Sequence, residues 1–483
     1  MSSVGVPAKR AKPAVKTPAA VAFISWVTLA LMTTSSVASL RPAPTMAVYG
    51  LAAVFLYIVP ALLFLLPTAL VSAELASGWE GGVYRWVSEA MSPKLGFLAV
   101  WCQFAMTITY YPSLLAYVAG TFAYVIDPRL ASNGVYTALV IITIYWAGVW
   151  VSSRGTKTVA GLSSATLVIG TLVPGAVLVI LGMVFLGQGN ASAAPMDAGS
   201  MLPAWTGIAS LVLIVNNFLS YAGMEMNAVH VSSLRKPGKE FPRAMFFAVG
   251  LVLLIFILPA LAISWVVPSK DLSLTAGVMQ AFDGFFNHFG VSWLTPVFGI
   301  MLIAASLGGM LTWLAGPSKG LLMISRQEGY LPPVLQKLNK DGVQQNILVA
   351  QGVLTTLIAL LYAFIPNVSS AYWILSVITT QVYLIMYVLM FVAAIRLRRR
   401  QPDHPRGYRA PLLIGVATVG LLASIAAFAI GFVPPSQFGN GSPVVYVLIV
   451  GLGMGLVGLF VPYLFLRMRK PGWRTADPET PVA

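Results

Sequence analysis

Charge is scarce in this sequence. Of 483 residues only 14 are acidic and 29 basic, 9% of the chain together, against about 25% in an ordinary soluble protein. So few charges cannot cover the water-facing surface that a chain of this length would need, which excludes a soluble multidomain enzyme. Cysteine is nearly missing as well. The lone Cys102 lies in an apolar stretch and can form neither an internal disulfide nor a thiolate metal cluster. The three histidines, His230, His288 and His404, occur without an HExxH pair, so no metal site, cofactor or enzymatic role is expected. The net charge of +15 does not signal nucleic acid, because long apolar runs separate the basic residues and leave no continuous basic face.

What the chain has in abundance is apolar length, with 58% hydrophobic residues and a mean hydropathy of +0.84. A helix of about 20 mainly apolar residues crosses a bilayer. Twelve segments qualify: 20–40, 46–72, 95–126, 134–152, 159–187, 204–230, 243–267, 290–316, 346–365, 370–395, 411–433 and 444–466. They are continuously apolar and lack the alternation of barrel strands, so an all-α integral membrane protein of twelve transmembrane helices is expected. Lys9, Arg10, Lys12 and Lys16 before the first run superficially resemble a signal peptide. The run is long enough to span, however, and is read as a retained first helix.

Counted loop by loop, 26 of the 29 basic residues fall on the side of the N-terminus and three, Arg41, Arg129 and Lys270, on the other. The positive-inside rule then places both termini in the cytoplasm and the protein in the cytoplasmic membrane, with anionic lipid as a contact of the basic loops. The expected layout is a cytoplasmic tail over 1–19 and a ten-helix core over 20–395. A cytoplasmic loop with helices eleven and twelve follows over 396–467, and a short cytoplasmic tail over 468–483.

Two spans contain clusters that a plain hydrophobic helix would not need. The first carries Thr33, Thr34, Ser35, Ser36 and Val37, and the sixth carries Ser220, Tyr221, Ala222, Gly223 and Glu225. Small and β-branched polar residues are poor helix formers whose hydroxyls compete for backbone groups, so both helices are expected to unwind near mid-membrane. Spans one and six are corresponding members of two five-helix units, and because five is odd the second unit enters the membrane inverted. Interrupted segments at matching positions of two halves point to a carrier's substrate site. Unwound N–H groups suit a carboxylate and unwound carbonyls an ammonium, the two charges of an α-amino acid. The same clusters are also compatible with close helix packing. Glu225, the acidic residue placed well inside a span, is either a proton-coupling carboxylate or an acceptor that ties the broken helix to a neighbour.

Longer motifs carry a family resemblance. Ser72-Ala73-Glu74-Leu75-Ala76 and Trp79-Glu80-Gly81-Gly82-Val83-Tyr84-Arg85-Trp86-Val87 are similar to the loop between the second and third helices of amino acid, polyamine and organocation permeases. The stretches Ser220 to Val231 and Lys236 to Met245, with Thr275 to Gln280, Gly316 to Gly320 and Leu338 to Val343, resemble more narrowly the glutamate:γ-aminobutyrate antiporter family. The resemblance implies a five-plus-five inverted repeat with broken helices one and six, two further C-terminal helices, and amino acid exchange by alternating access. It also implies that backbone around Thr34 to Val37 holds the α-carboxylate and Ser220 to Gly223 the α-amino group. Two features depart from those antiporters: Gly308-Gly309 stands in the eighth span where they carry Ala-Glu, and the sequence ends at Ala483 without their long His-bearing tail. Gly309 is expected to enlarge the cavity and weaken a preference for acidic amino acids. The runner-up is a proton- or sodium-coupled uptake permease of the same fold.

Overall fold

The computed structural model describes residues 24–154, 168–227, 230–231, 234–365, 367–436 and 442–475. The expected tail over 1–19, the start of the fifth span and the end of the C-terminal tail lie outside these residues. Every regular element among the described residues is helical.

Ten of these helices are long and apolar enough to cross a membrane: Gly50–Gly78, Gly134–Ser152, Val168–Gly187, Ile208–Met226, Pro237–Val266, Ser292–Glu328, Gln345–Phe364, Val368–Arg400, Leu413–Ile430 and Pro443–Met468. They answer to the second, the fourth to tenth and the last two expected spans. The third is a single helix, Pro93–Ile126, capped by the Ser92 hydroxyl and opened by proline at its first position. It is mostly buried, packing against Val368–Arg400 and Thr295–Glu328 at the centre of the molecule. The eleventh and twelfth helices turn outward, where Leu422, Leu448 and Leu452 are exposed. Such a surface is stable in acyl chains and not in water.

The first span is a pair, Trp26–Val37 and Ala43–Ala47, and therefore runs beyond the expected end at residue 40. This moves Arg41. Counted among the outer-loop cations on sequence, it is in fact buried at 5% exposure inside the broken span, so it is not a topological marker. The error arose because the run was ended at the first charge.

Two amphipathic helices occupy equivalent loops of the two halves. Gly82–Ala90, between the second and third spans, buries Val83, Trp86, Val87 and Ala90. Gly277–His288, between the seventh and eighth, buries Val278, Phe282, Phe285 and Phe286. Both show helical spacing of apolar residues, and their matching places are what an inverted five-plus-five repeat requires.

The second helix continues past the expected residue 72 and carries Glu74 into a buried ionic cluster. Arg398 and Arg406 each donate to Glu74 Oε1 at 2.5 Å, and the Ala410 N–H donates to Oε2 at 2.7 Å. His404 stacks on Trp79 with ring centroids 4.5 Å apart. The loop after the tenth span is thereby fastened to the end of the second.

Candidate functional site

The first helix stays helical through its Thr/Ser cluster and breaks after it. Thr33 donates to the Leu29 carbonyl at 2.8 Å, Thr34 to Ala30 at 2.9 Å, Ser35 to Met32 at 2.7 Å and Ser36 to Thr33 at 2.8 Å. These hydroxyls satisfy themselves on the preceding turn, which explains why residues 33–37, expected to unwind, do not. Ala38 is the first extended residue, at φ −65° and ψ 125°. Pro42 follows as the N-cap of the second half, and Pro44 lies in its first turn, where a missing N–H is tolerated; the absent N–H groups keep the first helix from running through. Between the halves, the N–H groups of Ser39 and Leu40 reach no acceptor among the described residues.

The sixth span enters as a 3₁₀ segment, Ile208–Ile214, widens into the α-helix Val215–Ser220, and turns at residues 221–223 before Met224–Asn227. Gly223 makes the turn at φ +109°, a conformation side chains disfavour. A Cβ there would lie 3.5 Å from Trp313 and 3.7 Å from the Ser36 carbonyl, so the two breaks meet across van der Waals contact. Among the described residues, the carbonyls of Ser220, Tyr221 and Ala222 accept no backbone N–H. One break thus offers donors and the other acceptors, the complement of a zwitterion.

A small cavity lies between them. The first span contributes Ser36, Val37, Ser39, Arg41 and Pro42, and the sixth Leu219, Ser220 and Ala222. Met106 and Tyr110 of the third span, Phe256 of the seventh, Trp313 of the eighth and Tyr383 of the tenth close it. Ser36, Val37, Ser220 and Ala222 of the expected site are thus brought together. Other expected residues are not. Thr33 and Thr34 are buried within their own helix and Ser35 faces outward. The Tyr221 hydroxyl donates away from the cavity to the Tyr57 carbonyl at 2.8 Å. Gly309 is absent from the lining, and a Cβ on it would meet nothing within 4 Å. Trp313, one turn further along, forms the wall there, so the enlargement expected at Gly309 has no counterpart in this cavity.

Glu225 lies just below the turn, 2% exposed. Tyr383 donates to Oε1 at 2.5 Å, Tyr387 to Oε2 at 2.7 Å, the Gly223 N–H to Oε2 at 3.2 Å, and Gln103 to Oε1 at 3.5 Å. The carboxylate ties the turn to the third and tenth helices. On sequence, Tyr110, Tyr111, Tyr383 and Tyr387 stand between cavity lining and packing, with packing favoured by their helical spacing; Tyr110 and Tyr383 line the cavity, and Tyr387 bonds Glu225.

Sequence reasoning set Arg41 just after the first break and left two roles open, attracting anionic substrates or sitting at the outer mouth; the structure has it in the cavity lining. Its Nη1 donates to the Ser113 hydroxyl at 2.9 Å and to the Tyr372 hydroxyl at 3.5 Å, and its guanidinium lies 5.1 Å from the Tyr110 ring centroid. The signal was present as an Arg-Pro pair next to a polar cluster, which reads more naturally as a helix break than as a loop.

The family model described as amino acid permease matches residues 24–454. An uncharacterized transporter of Legionella pneumophila is 35% identical over 447 residues, covering 91% of this chain and 95% of that protein. A glutamate/gamma-aminobutyrate antiporter of Lactococcus lactis is 29% identical over 458 residues, covering 92% and 91%. Among solved structures, that of MhsT in complex with L-phenylalanine superposes with a TM-score of 0.54 at 16% identity, over 84% of this chain and 98% of that one. This last likeness concerns the fold alone, an all-helical LeuT-like transporter fold.

Proposed function

Since the chain belongs to the amino acid permease family, and is thus a multi-pass membrane transporter and not an enzyme, we propose that it exchanges amino acids across the cytoplasmic membrane by alternating access. The amino acid rests between the two breaks, its carboxylate near the free N–H groups of Ser39 and Leu40 and its ammonium near the carbonyls of Ser220, Tyr221 and Ala222. The observation that carries this reading is the meeting of the two broken helices at Gly223 and Ser36, with donors on one side and acceptors on the other. Both termini lie in the cytoplasm, a reading supported by the basic loops. The relatives named antiporters support exchange over one-way uptake.

Purified protein in liposomes tests this. Vesicles loaded in turn with glutamate, γ-aminobutyrate and several neutral or aromatic amino acids are scored for uptake of the same labelled compound. Loaded vesicles should take up label several-fold faster than empty ones, with sodium replaced by choline. Equal uptake into empty vesicles that requires sodium or a proton gradient would identify a coupled uptake permease.

A further inference from the structure

The cavity holds a permanent cation without an anionic partner. Arg41 keeps its charge at any physiological pH, and a buried charge is costly unless paired and hydrogen-bonded. Yet among the described residues no carboxylate forms an ion pair with it. Its recorded acceptors are two hydroxyls, both on Nη1, and its aromatic neighbours are Tyr110 and Tyr372. Among the described residues Nε and Nη2 reach no acceptor, and the residue lines the cavity itself. The buried carboxylate of the sixth span, Glu225, is already saturated by two tyrosines, an amide and the Gly223 N–H.

We propose that Arg41 is a specificity-determining residue that binds a second carboxylate on the substrate, so that the cavity selects amino acids bearing an anionic side chain over their neutral isosteres. The inference rests on the amino acid exchange proposed above. The backbone N–H groups of Ser39 and Leu40 accommodate the α-carboxylate, which leaves the planar guanidinium fork for the other. Substrate binding neutralises the cation, whereas the empty carrier must turn with the charge unpaired in a low-dielectric site. That asymmetry favours movement of the loaded form and is a physical cause for exchange.

The test is paired counterflow of L-glutamate against L-glutamine, and of L-aspartate against L-asparagine, in liposomes carrying wild type, Arg41→Lys or Arg41→Gln. Wild type should prefer the acidic member of each pair by about tenfold or more. Arg41→Lys should keep part of that preference and Arg41→Gln should lose it, with faster uptake into empty vesicles relative to loaded ones. If wild type exchanges amino acids but treats acid and amide alike, the inference is overturned and the exchange reading stands. The same holds if Arg41→Gln keeps the wild-type ratio. If no amino acid gives counterflow, both fall. Should the variants fold poorly, quenching of tryptophan fluorescence in the wild type by the same four compounds decides the matter, because Trp313 lines the cavity.

Discussion

The Tyr387 hydroxyl donates to Glu225 Oε2 at 2.7 Å and accepts the Gly223 N–H at 3.1 Å. One phenol on the tenth helix therefore spans the turn that breaks the sixth, and the geometry of the substrate cavity depends on it. Removing that oxygen leaves the Gly223 N–H with only its longer bond to Glu225 Oε2 at 3.2 Å and takes one donor from the carboxylate, lost bonds worth roughly 0.5–3 kcal/mol each. Tyr387→Phe should lower the counterflow rate at least tenfold while the protein still purifies as a monodisperse species. An unchanged rate would show that the turn holds its shape without the bridge.

For Glu225 itself, Gln keeps the shape but presents an amide N–H₂ to donors that need an acceptor. Gln should therefore lower exchange, or shift its pH optimum, more than Asp does. Rates measured from acid to neutral pH check this. Wild-type behaviour with Gln throughout would leave Glu225 as a plain hydrogen-bond acceptor.

Much of this fold was legible in the sequence, and the reasons it was not all legible are local. Ten span positions followed from apolar length, because the bilayer imposes that length on a crossing helix. The break in the sixth span was visible because Gly223 is a backbone requirement written as a residue. The break in the first was displaced by a few residues, because hydroxyls that compete for backbone groups can also bond back within the turn, as Thr33 and Thr34 do. Arg41 was counted with the outer cations, and its role between substrate attraction and the outer mouth stayed open, because hydropathy cannot distinguish a charge beyond a helix from a charge inside a broken one. The cavity roles of Tyr110 and Tyr383 depend on contacts between distant helices, which spacing along one helix does not encode.

Gly223→Ala should abolish most exchange. An alanine strained at φ +109° costs at least about 1–2 kcal/mol and relaxes by moving the turn, which lies against Trp313 and Ser36. Counterflow and thermal stability of the same preparation separate the two consequences, with transport expected to fall much further than stability. Retained transport would mean the turn has other solutions.

The Glu74 cluster makes a stability prediction remote from the cavity. Glu74→Gln leaves Arg406 and Arg398 without their shared carboxylate, and breaking a buried pair costs about 3–5 kcal/mol. A melting temperature lowered by several degrees in detergent is expected. No change would indicate that solvent or lipid replaces the carboxylate.

Orientation is open to labelling, since the native Cys102 is buried. A Cys at Asp197 should react with an impermeant thiol reagent in intact cells, and one at Arg399 should react only after the membrane is opened. The reverse pattern would invert the topology.

The most direct measurement concerns whether the cavity between the broken helices is where the amino acid binds. Cys introduced singly at Ser220, in a Cys102→Ala background, is modified with a small thiol reagent in liposomes. The modification is repeated with the amino acid that gives the strongest counterflow. Modification should block transport, and that amino acid should slow it in proportion to its occupancy, with half-protection near the concentration giving half-maximal exchange. Modification that blocks transport at the same rate with and without saturating substrate would contradict a site between the two breaks.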